Sequence, residues 1–189
     1  MATAIIVSAL LALLSSSIAS PIAVGDRKII RRFSPWHNGF KLVTADSYTA
    51  SFSPATLPNV SAISLFDPFD QANYLLRLIG PGYGSLPVFN ITQTGLLQTV
   101  AEGPEATGEW VYTSEGAEDG QNLEFTSTSP PMKAPVEGSL GLLWGYLLTV
   151  NGSEEGWTIC DGPIGQKVIK WQGEGCTATY LHAVDIAPY

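Results

Sequence analysis

Apolar and polar residues alternate with a period of two through much of the chain, which is the pattern of strands with one buried face. It is longest over residues 139–150, SLGLLWGYLLTV, where Leu140, Leu142, Trp144, Tyr146, Leu148 and Val150 share one phase while Ser139, Gly141, Gly145 and Thr149 share the other. The spacing predicts one central strand here, with Trp144 in the core and Leu143 on the less critical phase. WTIC, QKVIKW and CTATYLHAVDI predict three more strands, separated by the glycine-bearing turns 161–165 and 172–175. Cys160 and Cys176 fall in neighbouring strands of this set.

Upstream, FKLVT, YTASF, AISLF, LPVFNI, LLQTV, WVYT and NLEFTST read as further short strands, cut by Pro, Gly, Asn and Asp. NYLLRLI breaks the alternation and fits a buried strand or one helical turn. Between NLEFTST and the 139–150 run, SPPMKAP makes an extended connection poor in backbone donors. The total is roughly ten to twelve strands with no amphipathic helix of three turns. A single all-β domain over residues 36–189 follows, a β-sandwich or a closed antiparallel barrel, with a β-trefoil as the alternative.

The first twenty residues carry no charged side chain, and IIVSALLALL forms an apolar run ended by Ser17-Ile18-Ala19. This predicts a signal peptide over 1–19 rather than a membrane anchor, and hence a secreted, extracellular product. Residues 20–35 read as a flexible lead-in, and Arg31-Arg32 offers a dibasic processing site that would end a pro-segment. In an exported chain the two cysteines favour one disulfide, Cys160 with Cys176, over a metal site. Asn59, Asn90 and Asn151 each open an N-glycosylation sequon.

Nine Lys and Arg stand against seventeen Asp and Glu, and four of the nine bases precede Phe33. With no basic patch to release counterions, binding to nucleic acid and to acidic membrane surfaces is excluded as an expectation, and with no further apolar run near twenty residues membrane insertion is not expected either. Seven acids and no base occur between Glu102 and Glu124, but the calcium-loop spacing is absent, so the run reads as a solvated face.

Catalytic groups are sparse. His182 lies in an apolar phase and reads as a neutral core residue, and His37 falls in a polar turn. The segment 80–84 is not a phosphate loop, since no Lys-Ser or Lys-Thr pair follows it. Glu109 and Glu124 could serve a glycoside hydrolase only if the fold set them roughly 5 to 9 Å apart. Nothing calls for a cofactor or a metal. Among the aromatics, Trp144 and Trp157 fit core phases, whereas Tyr83 and Trp110 are the candidates for stacking on a sugar.

The succession Gly156-Trp157-Thr158-Ile159-Cys160, Val168-Ile169-Lys170-Trp171, Cys176 and Tyr180-Leu181-His182-Ala183-Val184 resembles the ending of small secreted fungal proteins of the cell-wall or IgE-binding-like type. The resemblance covers the C-terminal region only. It implies a wall or extracellular location and no established enzymatic activity, and it transfers no catalytic residue. The leading expectation is therefore a non-catalytic secreted surface or cell-wall-associated protein, whose partner is a wall polysaccharide or another surface protein. A carbohydrate-binding, lectin-like module and a glycoside hydrolase are the alternatives.

Overall fold

The computed structural model describes residues 39–49, 53–69, 73–83, 86–127 and 138–189. The expected signal peptide, the lead-in, Arg31-Arg32, His37 and the SPPMKAP connection lie outside them.

Thirteen strands form in chain order: β1 Lys41–Ala45, β2 Ser61–Phe66, β3 Asn73–Ile79, β4 Phe89–Ile91, β5 Leu97–Glu102, β6 Glu109–Ser114, β7 Glu124–Ser127, β8 Leu140–Leu143, β9 Leu147–Val150, β10 Trp157–Asp161, β11 Lys167–Trp171, β12 Thr177–Ala178 and β13 Tyr180–Val184. Their ladders are all antiparallel. The hydrogen-bonded path runs β4-β5-β6-β7-β3-β2-β1-β13-β9-β8, with β11 also joined to β3, and β10 bridging β11 and β12. That path turns back on itself at Phe40, just before β1, which exchanges backbone hydrogen bonds of 2.9 and 2.7 Å with Phe89 of β4. The result is a nearly closed antiparallel barrel, one of the architectures expected, and closure leaves few strand edges exposed to a second chain. NYLLRLI resolves as strand β3, whose outer edge is shared between β7, at Asn73–Leu75, and β11, at Arg77.

The interior is filled by large side chains from every quarter of the barrel, among them Phe40, Phe89, Tyr112, Phe125, Trp157 and Trp171. Trp157 and Trp171 pack edge to face with ring centres 5.1 Å apart, and the Trp157 indole N–H donates to the Leu148 carbonyl at 3.0 Å. A buried indole is compatible with a core only if that polar handle is satisfied. The Cys160–Cys176 disulfide forms, with Cα atoms 4.8 Å apart. Gly173 sits against it so closely that a Cβ there would meet Cys160 Sγ at 2.6 Å, which explains glycine at this turn.

Two expectations are corrected. Residues 139–150 are not one strand but a hairpin, β8 and β9, turning at Trp144 and Gly145. Both take left-handed backbone (φ 52° and 86°), and Tyr146 N–H donates to Leu143 O at 3.2 Å, closing a three-residue connection between the paired Leu143 and Leu147. Trp144 is thereby carried out of the core to 59% exposure, while Leu143 is buried. The segment YTASF gives no strand at Tyr48 and Thr49, and its remainder lies outside the described residues.

Candidate functional site

The hairpin tip carries a cluster of aromatic rings. Trp144 stacks on Tyr146, with ring centres 6.1 Å apart and planes 26° apart. Behind Tyr146 lies His182 of β13, with ring centres 5.5 Å apart, and alongside them Tyr48 meets Tyr180 edge to face at 6.1 Å. Tyr48 is as exposed as Trp144, at 59%, whereas Tyr146 and His182 are buried. The site is thus two open rings backed by three supporting ones.

Hydrogen bonds fix the backing. The Tyr146 hydroxyl donates to the Tyr48 carbonyl at 3.3 Å, and burial raises the Tyr146 pKa, so the phenol stays a donor. His182 Nε2 lies 2.8 Å from the Ser47 carbonyl. Only a protonated Nε2 can donate there, which leaves Nδ1 as the bare nitrogen of a neutral imidazole, and Nδ1 has no hydrogen-bond partner. Burial pulls the His182 pKa below its ordinary value, against a smaller opposing effect of the Ser47 carbonyl. The histidine is a neutral core group in the apolar phase where the sequence puts it. Ser47 Oγ and Thr49 Oγ1, 2.7 Å apart, supply hydroxyls on either side of Tyr48.

The other candidates are dispersed. Tyr83 is 55% exposed, but one face of its ring is taken by the Arg77 guanidinium at 5.1 Å. Trp110 is half-buried against the core, and its indole lies under Gly103, where a Cβ would come within 2.6 Å. Glu109 faces Glu102 across β5 and β6, while the Glu124 backbone carbonyl accepts from the Glu115 N–H at 2.8 Å. Glu109 precedes Glu115 by six positions on the β6 run, so the two candidate carboxylates are separated by roughly 20 Å along the strand and not by the spacing glycosidase chemistry needs. Glu109 instead borders an open cleft of about 650 Å³ beside β4, β5 and β6, together with Glu102, Tyr74 and the exposed Val88, Val100 and Val111.

The asparagines of the three sequons, Asn59, Asn90 and Asn151, are all exposed. Among the described residues no group of three or more His, Cys, Asp or Glu is placed to hold a metal ion, and no helix is long and apolar enough to cross a membrane.

Sequence reasoning missed Trp144 and Tyr48 as surface rings. The available signal was Gly145 between the doublets Leu142-Leu143 and Leu147-Leu148, which marks a turn between two strands. Comparison of the chain with protein-family models, curated proteins and solved structures finds no match.

Proposed function

We propose that the chain is a non-catalytic extracellular binding module whose Trp144–Tyr48 ledge takes the flat, C–H-bearing face of a polysaccharide. The observation that supports it is Trp144 itself. A bulky residue at φ 52° is rare and costs backbone energy, and here the strained position holds, among the described residues, the largest of the side chains open to solvent. The ring is pre-stacked on Tyr146, so little side-chain entropy remains to be lost when a ligand lands on it. Ser47, Thr49 and the Tyr48 hydroxyl supply the polar groups a sugar needs at the rim of such a surface.

The signal-peptide pattern, the disulfide and the three exposed sequon asparagines support a secreted protein, and the resemblance of the C-terminal region to fungal wall proteins favours wall polysaccharide as ligand. Pull-down of the secreted chain on chitin, insoluble β-glucan and cellulose tests the reading. Retention on one of these should be reversed by the matching soluble oligosaccharide and lost in Trp144→Ala and Tyr48→Ala, but kept in Val100→Ala. Retention that survives both aromatic substitutions, or none on any wall polymer, overturns it and leaves another surface protein as the partner.

A further inference from the structure

The outer face of the β4–β5–β6 meander is laid out in rows. Val88, Val100 and Val111 form the middle one, because the pairing of Phe89 with Thr99 sets Val88 level with Val100, and Val100 pairs with Val111. All three are more than two-fifths exposed. On one side of them Asn90 faces Gln98, and on the other Glu102 faces Glu109, both glutamates exposed. These side chains line the open cleft of about 650 Å³. Like charges at directly opposed strand positions repel each other. Among the described residues the ion pair that forms is Lys167 with Asp161, and neither Glu102 nor Glu109 has a basic partner. The cleft therefore combines a solvent-open apolar row with two uncompensated negative charges at one end.

The chain carries the complement of this cleft in its own sequence. Residues 27–33, RKIIRRF, hold four of the nine bases, with Ile29, Ile30 and Phe33 among them. They precede the described residues, the first of which, Gly39, lies beside the cleft. A Cβ on Gly39 would come within 2.5 Å of Val88 Cγ1 and 3.2 Å of Asn90 Oδ1, and both Val88 and Asn90 line the cleft. Phe40, next in the chain, is fastened to Phe89 by two backbone hydrogen bonds. From Gly39 back to Arg32 an extended chain reaches up to about 24 Å. The two glutamates are nearer than that, since crossing from β4 to β6 takes about 10 Å and the step from Val100 to Glu102 about 7 Å.

We propose that the segment 27–33 docks in this cleft, with Arg31 and Arg32 paired to Glu102 and Glu109 and with Ile29, Ile30 and Phe33 laid over Val100 and Val111. The pairing offsets the repulsion between the two carboxylates and takes the exposed valines out of water. Exposed ion pairs are weak one by one. The segment is tied to Gly39, however, and its local concentration at the cleft is one that a free peptide of the same sequence lacks. The cleft is thus filled from within the chain, by the same dibasic pair that the sequence offers for processing. The docking is separate from the Trp144–Tyr48 ledge and does not depend on it.

NMR of the methyl-labelled full chain tests this. Nuclear Overhauser contacts should join the methyls of Ile29 or Ile30 to those of Val100 and Val111, and should not weaken on dilution. Arg31→Glu with Arg32→Glu should lower the docked-to-free ratio by about tenfold, the combined effect of two exposed pairs. Glu102→Lys with Glu109→Lys should do the same, and all four changes together should restore the contacts. Glu118→Lys with Asp119→Lys alters the charge equally elsewhere in the acidic run and should leave them in place. Absent contacts, contacts that survive both reversals, or an equal loss from the 118–119 variant overturn the proposal. Contacts that vanish on dilution also overturn it and make a second copy of the chain the occupant. If circular dichroism shows that the Glu102–Glu109 variant does not fold, the Arg31–Arg32 variant decides, since it alters only residues ahead of the barrel: lost contacts support docking, and retained ones defeat it.

Discussion

The β8–β9 hairpin and the β4–β5–β6 meander are both antiparallel ribbons, yet one is covered on both faces and the other on one. All eight strand residues of the hairpin are buried. Leu140, Leu142, Leu148 and Val150 enter the barrel core, and Leu143 and Leu147 form a second cluster with Tyr146 on the opposite face. In the meander, Leu97, Thr99 and Tyr112 point inward, while Val100 and its cross-strand neighbour Val111 face outward, both more than two-fifths exposed. The difference teaches that alternation determines which residues share a face, whereas coverage of the second face is decided by what the rest of the chain lays over it.

The sharpest way to break this comparison is to truncate on both faces of the hairpin. Leu147→Ala and Leu148→Ala should each cost about 2 to 5 kcal/mol in urea unfolding, since each leaves a cavity, whereas Val100→Ala should stay within about 0.5 kcal/mol. A harmless Leu147→Ala would mean that the outer cluster is not a packed core. Next in size, converting Cys160 and Cys176 to alanine should lower stability by about 2 to 4 kcal/mol, with hydrogen exchange rising first in β10 to β12. Uniform loosening that includes the meander would show that the bridge secures the whole barrel rather than its own corner.

A smaller effect is expected from acid. The unfolded chain takes up a proton on His182 near the ordinary value of about 6.5, and the folded chain does so only at lower pH because the ring is buried. Stability from this group is therefore complete above the unfolded value and falls as pH drops toward the folded one, by at most about 1.4 kcal/mol per pH unit. Urea midpoints between neutral and mildly acidic pH should show that slope in the parent chain and lose it in His182→Gln. The smallest effect belongs to the hairpin tip. Trp144→Asn exchanges a strained, exposed residue for one that tolerates left-handed backbone, so thermal unfolding should change by no more than about 1 kcal/mol. A loss of several kcal/mol would return Trp144 to a structural role.

The all-β class and most strand positions were legible because period-two patterning and turn residues act locally. Trp157 and His182 were placed correctly for the same reason. The hairpin was not, because Trp144 is a bulky residue at a turn position that Asn or Asp usually fills, and the phase of the alternation hid the reversal. Glu109 and Glu124 could not be judged from spacing, since their separation is set by the β6–β7 register.

The pairing of β1 with β13 sets Lys41 beside Val184, so the first described strand finds its neighbour in the last. Neither β1 nor the later half of β3 can fill both edges before the final third of the chain is available. Contacts this distant in sequence slow folding, because loop closure must precede any gain from the ladder. On a ribosome the upstream strands are held with an unsatisfied edge until synthesis is nearly finished. The order in which the chain emerges, more than the strength of its finished core, then sets how long it stays exposed to association with other nascent copies.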